Sequence, residues 1–260
     1  MTTAASARLI GELTFPEVSR RLGARSILCL PIGSIEQHGP HLPVQVDTLL
    51  VTEIARRTAR RVVAESPIVV LPTIWSGLAE HHMSLGGTLT LDLATFFSLV
   101  RAILRSAVRN GFGRILLLNG HGGNMSALNA LVGELCVETS LPIALATYWT
   151  PAREAFARIL EHQPSVAHAC EAETSMLLAL RPDLVDMSAL DHVDPPREWG
   201  RGPSDVFVWC SVSDWSPSGV AGVPSAANAA KGEKLLDAAA AALAERLRDG
   251  RLWSREQGAS

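Results

Sequence analysis

Two periodicities alternate along the chain, one typical of buried strands and the other of amphipathic helices. Four short runs rich in Ile, Leu and Val predict strands that are buried on both faces. Between them, apolar residues recur at the three- and four-residue spacing of a helix that buries one side. The predicted strands are Ser26–Ile32, Ile68–Thr73, Arg114–Leu118 and Pro142–Tyr148, and the predicted helices between them are Thr48–Val63, Leu93–Asn110 and Ser126–Thr139.

This order of elements, β-α-β-α-β-α-β, predicts an α/β fold with three layers, α/β/α, around a mostly parallel sheet. Ligands of such folds bind beyond the carboxyl ends of the strands, so the residues directly after each strand are the first functional candidates. A helix at Ala172–Leu180, an irregular stretch at Asp191–Val223 and an alanine-rich helix at Ser225–Arg248 follow. The length of 260 residues permits one large domain or two small ones, and we expect a single domain over residues 1–260.

Composition and charge narrow the classes of partner. Hydrophobic residues make up 47% of the chain and charged residues 19%, which is typical of a globular protein. A net charge of −3 provides no basic field, so we expect no nucleic acid partner. Neither a secretory signal nor an apolar stretch of membrane-spanning length is recognisable, which predicts a cytoplasmic protein with no membrane partner. The four cysteines lie far apart and suit neither a disulfide framework nor a cysteine zinc site.

Three side chains able to bind metal follow the first strand, in the segment GSIEQHGPHLPVQVD. In an extended segment, residues two apart point the same way, so Glu36 and His38 can face one pocket. Asp47 comes nine residues later, at the start of a helix. Two carboxylates and an imidazole suit zinc, manganese or iron, and an aspartate can bridge two ions with its two oxygens.

A second loop with metal-binding potential, NGHGGN, follows the third strand and supplies His121. A lone histidine in a loop is more often a surface or structural residue. Two such loops at neighbouring strand ends outweigh that interpretation. We therefore predict a two-metal centre of Glu36, His38, Asp47 and His121 that activates water for hydrolysis.

A third cluster, HACEAETS, precedes the predicted helix at Ala172–Leu180. Here Glu173 could complete the metal shell, and His168 could act as an acid, a base or an oxyanion donor. Alternatively, Glu171 and Glu173 merely complement the helix dipole.

Two other groups of residues remain open to more than one interpretation. The residues Glu80, His81 and His82 follow the second strand, and they could line a substrate pocket, form a subunit contact or belong to a solvated loop. The tryptophans of the late irregular stretch could cap the pocket or lie in a subunit interface, with the interface slightly favoured; they are Trp199, Trp209 and Trp215.

These motifs, together with GGTLTL at Gly86–Leu91, resemble the creatininase (creatinine amidohydrolase) family from about Leu13 to at least Leu180. The resemblance implies a metal-dependent amidohydrolase that cleaves a C–N bond of a small amide, with two zinc or manganese ions per subunit, iron being possible, in a homohexamer. It also implies that Glu36, Asp47 and His121 hold one metal, and that His38 and the bridging Asp47 hold the other.

The chain departs from the best-known creatininases at the fifth ligand. They carry a glutamate two residues after the histidine of NGH, and this chain has Gly123 there. Glu173 is our preferred replacement because the ETS segment resembles the family motif, and Glu171 is the second choice and a candidate substrate contact. His168 matches the family's catalytic histidine, which implies a proton shuttle to the leaving nitrogen.

The substrate is less constrained than the reaction. Trp149 resembles an aromatic residue that closes over the creatinine ring in the family, but no tryptophan stands shortly before His168. Other members of the family open formamido-pyrimidine rings or trim a peptide, so both are alternative substrates. A non-catalytic metal-dependent binding protein and an iron-dependent redox or isomerase enzyme are the alternatives from other functional classes. Neither has a supporting motif in the chain.

Overall fold

The centre of the molecule is a parallel four-stranded sheet. The computed structural model describes residues 9–193 and 208–254. Within these residues the strands lie in the order β2-β1-β3-β4, and all three neighbouring pairs run parallel. This confirms the predicted fold class. The strands are β1 Gly23–Ile32, β2 Ile68–Val70, β3 Phe112–Asn119 and β4 Ile143–Thr147.

Helices connect these strands and cover the sheet. Within the described ranges, no helix has the length and apolar character needed to cross a membrane. The predicted stretch at Asp191–Val223 contains one short helix in its described part, and Trp199 lies outside the described residues. The α-helices are α1 Phe15–Ser19, α2 Val46–Val62, α3 Leu93–Arg109, α4 Met125–Thr139, α5 Arg153–Ile159, α6 Glu171–Leu180, α7 Val212–Trp215 and α8 Ala229–Arg248.

Three element boundaries differ from the prediction. Strand β2 ends at Val70 because the pairing with β1 slips by one residue: Cys29 pairs with Val70, whereas Ile32 pairs with Ile74. Strand β1 begins at Gly23, and its pairing with β3 shifts register between Gly23 and Ile27. Helix α8 begins only at Ala229, because the side chain of Asn228 caps it by accepting the backbone N–H of Lys231 at 2.9 Å.

Alternate residues of the central strands enter two separate hydrophobic cores. On one face, Ile27 and Cys29 of β1 belong to the core that also contains the apolar sides of α2, α6 and α8. On the other face, Leu30 and Ile32 belong to the core formed with α3 and α4. This period of two is the pleat of a strand buried on both sides, and it produces the three layers.

The strands that follow β1 in the chain lie on both sides of it in the sheet. Strand β2 lies on one side of β1, whereas β3 and β4 follow on the other side. In open α/β sheets the crevice at such a reversal, beyond the carboxyl ends of the strands, is the usual place for a ligand. The segments with Glu36 and His121 follow the two strands that meet at this point.

Candidate metal centre

The loop after β1 presents Glu36 and His38 to the same buried space. Both side chains are almost fully buried. The ring of His38 lies with Nδ1 3.0 Å from the backbone carbonyl oxygen of Glu36. An Nδ1–H donated to that oxygen leaves the lone pair of Nε2 directed at the cluster of acids. Metal-binding histidines in proteins are usually oriented by such a bond from the other ring nitrogen.

Asp47 lies between two histidines that come from different loops. In the first turn of α2, its Oδ1 is 3.3 Å from Nε2 of His38, and its Oδ2 is 3.1 Å from Nδ1 of His121. The same nitrogen of His121 is 2.9 Å from Oε2 of Glu36. The other nitrogen of His121 lies 3.1 Å from the carbonyl oxygen of Leu78, which orients this ring in the same manner.

Glu173 reaches the same space from the first turn of α6. Its Oε1 is 3.9 Å from Nε2 of His38. Among the described residues there are three groups of three possible ligand atoms, one of which is Glu36, His38 and His168. The other two groups share Asp47: one is Glu36, Asp47 and His121, and the other is His38, Asp47 and Glu173. We call the five residues of these last two groups the acid–imidazole cluster.

The polar atoms of the cluster are short of hydrogen-bond partners. Four of them are buried and make no well-directed hydrogen bond, although three of them lie at ion-pair distance from another cluster residue: Glu36 Oε2, His38 Nε2, Asp47 Oδ2 and Glu173 Oε2. Leaving a buried polar atom unpaired costs about 1–3 kcal/mol, and more for a charged group. Cations between the carboxylates would pair all four atoms, so the residues present fit a metal centre.

Crowded acids and histidines shift one another's pKa values. Burial raises the pKa of Glu173 to about 8, and the Asp47 and Glu36 carboxylates add to the rise. Burial opposes the charged form of His38, but Asp47 and the two glutamates raise the pKa of His38 to about 9. Burial also opposes the charged form of His121, but Glu36 and Asp47 raise the pKa of His121 well above its usual value. The cluster therefore holds protons at neutral pH unless another cation replaces them.

Glu171, the second candidate for the fifth ligand, does not join the cluster. Its buried carboxylate forms a salt bridge with the ammonium group of Lys231. It also accepts the backbone N–H groups of Glu161 and His162 at 3.1 Å each. The carboxylate therefore already has its partners, and we do not include Glu171 among the proposed ligands or substrate contacts.

His168 lies beside the cluster with its ring against two others. Its Nδ1 is 3.5 Å from Oε1 of Glu36, and its ring centroid is 4.3 Å from those of His38 and His82. Burial, together with these neighbouring histidines, lowers the pKa of His168 well below its usual value. A neutral imidazole beside the Glu36 carboxylate can accept a proton and pass it on.

His82 is a central residue that sequence reasoning left undecided. It is buried, and its Nε2 lies 3.2 Å from Oε1 of Glu36. The neighbouring His81 is half-buried and stacks on His121 at 5.7 Å, whereas Glu80 is exposed. The position of EHH after a predicted strand was the available signal, because the carboxyl ends of parallel strands meet at one edge.

The tryptophans occupy different environments. Trp149 is half-buried after β4 and meets the ring of Tyr148 edge-on at 4.8 Å. Trp215 is buried in a small apolar cluster with Val212. Trp209 is 60% exposed. A contact of Trp149 with a substrate therefore stays a prediction.

Comparison with known proteins places this geometry in a family. The family model described as creatinine amidohydrolase, the creatininase family, matches residues 11–247. The chain belongs to the creatininase family. This confirms the resemblance seen in the motifs, and the match extends well beyond them, through helix α8.

Relatives with different substrates share this creatininase framework. Creatinine amidohydrolase of Pseudomonas putida is 32% identical over 259 residues, covering 92% of this chain and 96% of that protein. The mycofactocin precursor peptide peptidase of Mycobacterium tuberculosis is 31% identical over 240 residues, covering 88% of each. Both comparisons support a creatininase-family amidohydrolase, and the difference between them leaves the substrate open.

Solved creatininase structures agree with the fold. A manganese creatininase superimposes with a TM-score of 0.75 at 29% identity, covering 92% of this chain and 97% of that one. A mutant creatininase of the zinc–zinc type gives the same TM-score and identity, covering 92% and 96%. Two metals known in the family, manganese and zinc, are thus the first to test here.

Proposed function

We propose that this creatininase-family chain is a binuclear metal-dependent amidohydrolase that cleaves a C–N bond of a small linear or cyclic amide. The observation that carries the proposal is the position of Asp47. Its two oxygens face His38 and His121, which belong to different groups of ligand atoms. An aspartate with one oxygen toward each of two groups is suited to bridge two ions.

The proposed ligands follow the two groups. Glu36, Asp47 and His121 would hold one ion, and His38, Asp47 and Glu173 would hold the other. Zinc and manganese are the candidates, with iron as a third. Such ions supply Lewis acidity toward water and toward the carbonyl group of an amide.

The chain's own residues account for the proton transfer. An amide nitrogen leaves poorly unless it is protonated as the C–N bond breaks. His168 is the proposed proton carrier, because its Nδ1 faces the cluster from 3.5 Å and its ring is not needed for either group of three proposed ligands. Burial of the surrounding side chains keeps bulk water away, which strengthens every electrostatic interaction at the site.

A small substrate fits this buried setting better than a folded protein does. Creatinine is the first candidate, since a creatinine amidohydrolase is 32% identical over 92% of this chain. A short peptide is the second, because the mycofactocin precursor peptide peptidase is nearly as similar. Trp149, half-buried beside the loop after β4, is the proposed aromatic contact.

The test combines metal analysis with a substrate panel. We expect two zinc or manganese ions per purified chain by elemental mass spectrometry. We also expect turnover of at least one member of a panel of creatinine, related cyclic amides, formamido-pyrimidines and short peptides. Substitution of His168 by Asn should abolish turnover and keep both ions. Two bound ions without turnover of any amide would instead support the binding-protein alternative, and absence of metal would refute the proposal.

The location and assembly of the protein are part of the same proposal. A cytoplasmic homohexamer is expected for the chain from the family resemblance. Light scattering of the purified protein would measure the assembly directly, and a monomer at micromolar concentration would contradict it.

A further inference from the structure

Gln37 stands between Glu36 and His38 but turns to the histidines beside the cluster. Its side chain is buried, and Nε2 lies 2.8 Å from Nδ1 of His82 and 3.0 Å from Nε2 of His168. The backbone carbonyl oxygen of Gln37 lies 2.8 Å from the same nitrogen of His168. Gln37 therefore contacts both histidines that approach Oε1 of Glu36.

Two backbone groups fix which end of the Gln37 amide is which. The backbone N–H of Gly39 donates to Oε1 at 2.9 Å, and Nε2 donates to the carbonyl oxygen of Gly219 at 3.3 Å. Rotating the amide by half a turn would set an N–H against an NH₂ group and a carbonyl against a carbonyl. The NH₂ group is therefore the end that faces the two rings.

Counting protons then assigns the rings. The two hydrogens of the amide satisfy Nδ1 of His82 and the carbonyl of Gly219. Nε2 of His168 carries a proton, which it donates to the backbone carbonyl oxygen of Gln37. In a neutral imidazole the other nitrogen is then unprotonated. The opposite assignment for His168 would leave the Gly219 carbonyl unpaired and place two lone pairs 2.8 Å apart.

The consequence appears at Glu36. His82 has Nε2–H left to donate, and Oε1 of Glu36 is 3.2 Å away. His168 has the lone pair of Nδ1 left, directed to the same oxygen from 3.5 Å. One histidine thus holds the carboxylate, and the other is ready to take a proton from whatever lies between them.

We propose that Gln37 is a positioning residue that fixes the tautomers of His82 and His168, making His82 an N–H donor to Glu36 and leaving Nδ1 of His168 as the proton acceptor. The inference rests on the proposed function, since the proton that His168 accepts belongs to that reaction. It assigns opposite roles to two buried histidines through a single amide.

The tautomers can be measured directly in the zinc-loaded full chain. Nitrogen-15 NMR of histidine-labelled protein distinguishes protonated from unprotonated ring nitrogens, and the variants His82→Asn and His168→Asn assign the signals. We expect both His82 and His168 to carry the proton on Nε2. A proton on Nδ1 of either residue in the unsubstituted protein would overturn the inference, with no variant required.

Replacing the amide tests its role. In Gln37→Glu the new carboxylate has no proton to give, so His82 should shift to the form protonated on Nδ1. With the panel substrate, kcat should fall about 10- to 100-fold, the usual effect of removing a residue that orients a catalytic group. Gln37→Met should give His82 a mixture of tautomers. Unchanged tautomers in both folded variants would refute the inference, because a purely structural glutamine would not set them.

The matched control is Gln163→Glu. Gln163 is half-buried and donates to the carbonyl of Ser165 rather than to a histidine. The same chemical change there should leave both tautomers as they were, and a shift would contradict the specific role of Gln37. Zinc content is measured on every sample. Loss of zinc from the unsubstituted protein would count against the proposed function, whereas altered tautomers with two ions bound bear on Gln37 alone.

Discussion

Glu171 and Glu173 stand two residues apart in the first turn of α6, and both are buried, yet their surroundings are opposite. Glu171 has an ammonium group and two backbone N–H groups as partners. Glu173 faces other carboxylates and has an oxygen without any hydrogen-bond partner. The Glu171 carboxylate stabilises the fold through partners within the chain. The Glu173 carboxylate needs a further partner, such as a cation, to be stabilised. A functional carboxylate is thus distinguished by unmet hydrogen-bonding capacity and not by burial.

The largest effect is expected in the acid–imidazole cluster, at Asp47, since both groups of proposed ligands share this residue. The isosteric change Asp47→Asn should remove most of both ions and lower turnover by about 10⁴-fold or more, because the Lewis acids that activate water are lost. Elemental analysis and kcat measure the two effects. Asp237→Asn, at an exposed partner of Arg57, is the control and should keep both ions. Two tightly bound ions in Asp47→Asn would contradict the bridging role.

The two glutamates can be compared directly by the same substitution. We expect Glu173→Gln to reduce bound zinc from two ions to one, and to make the metal-free protein more stable, because it removes one of several neighbouring buried carboxylates. Glu171→Gln should keep both ions and destabilise the protein by about 1–3 kcal/mol, since the buried Lys231 ammonium loses a charged partner. Metal analysis and urea unfolding measure both. The reverse pattern would make Glu171 the fifth ligand.

The two glutamates differ in that Glu171 has a cationic partner, Lys231. We therefore expect a substitution of Lys231 to change the stability of the protein. Lys231→Met should cost about 2–3 kcal/mol in urea unfolding, because Glu171 is left buried without its partner. The estimate is at the low end for buried pairs, since the second partner, Glu161, is exposed. Combining Lys231→Met with Glu171→Gln should recover most of the loss.

The control for this pair lies on the same helix. Lys234 is exposed, and Lys234→Met should change the free energy of unfolding by no more than about 0.5 kcal/mol. Zinc content should remain at two in all these variants. A fall in zinc with Lys231→Met would mean that the two ends of the α6 turn are coupled.

Sequence patterns predicted the sheet and much of the cluster because both depend on local order. The continuous apolar run of β1 predicted its burial on both faces, and the spacing of Glu36 and His38 predicted that both face one pocket, as they do. The residue types of Glu171 and Glu173 are identical, so only the family motif favoured one. The deciding contact is Lys231, which is 60 residues further along the chain.

The histidines beside the cluster show a second limit of prediction from the sequence. His82 follows a strand, so its position was within reach of sequence reasoning. The role of Gln37 was not, because it depends on the backbone at Gly219, which lies 182 residues away in the sequence. Contacts of that kind come from packing and leave no periodic signal in the chain.

The smallest effect that we predict concerns Gly123, which stands where the best-known creatininases carry a glutamate. A Cβ at this position would lie 2.2 Å from the Leu78 carbonyl oxygen and 2.4 Å from Nε2 of His121. These two atoms form the bond that orients His121. Gly123→Ala should therefore weaken zinc binding by about 10- to 100-fold, as measured by competition with a chelator.

The neighbouring glycine provides the matched control, because a Cβ at Gly122 would meet nothing within 4 Å. Gly122→Ala should keep the zinc affinity, and equal losses in both variants would point to a general effect on the turn. The contrast also supports the proposal that the fifth carboxylate comes from α6. No side chain fits at Gly123 without displacing His121 or the Leu78 carbonyl, so a glutamate there could not serve one ion without disturbing a ligand of the other.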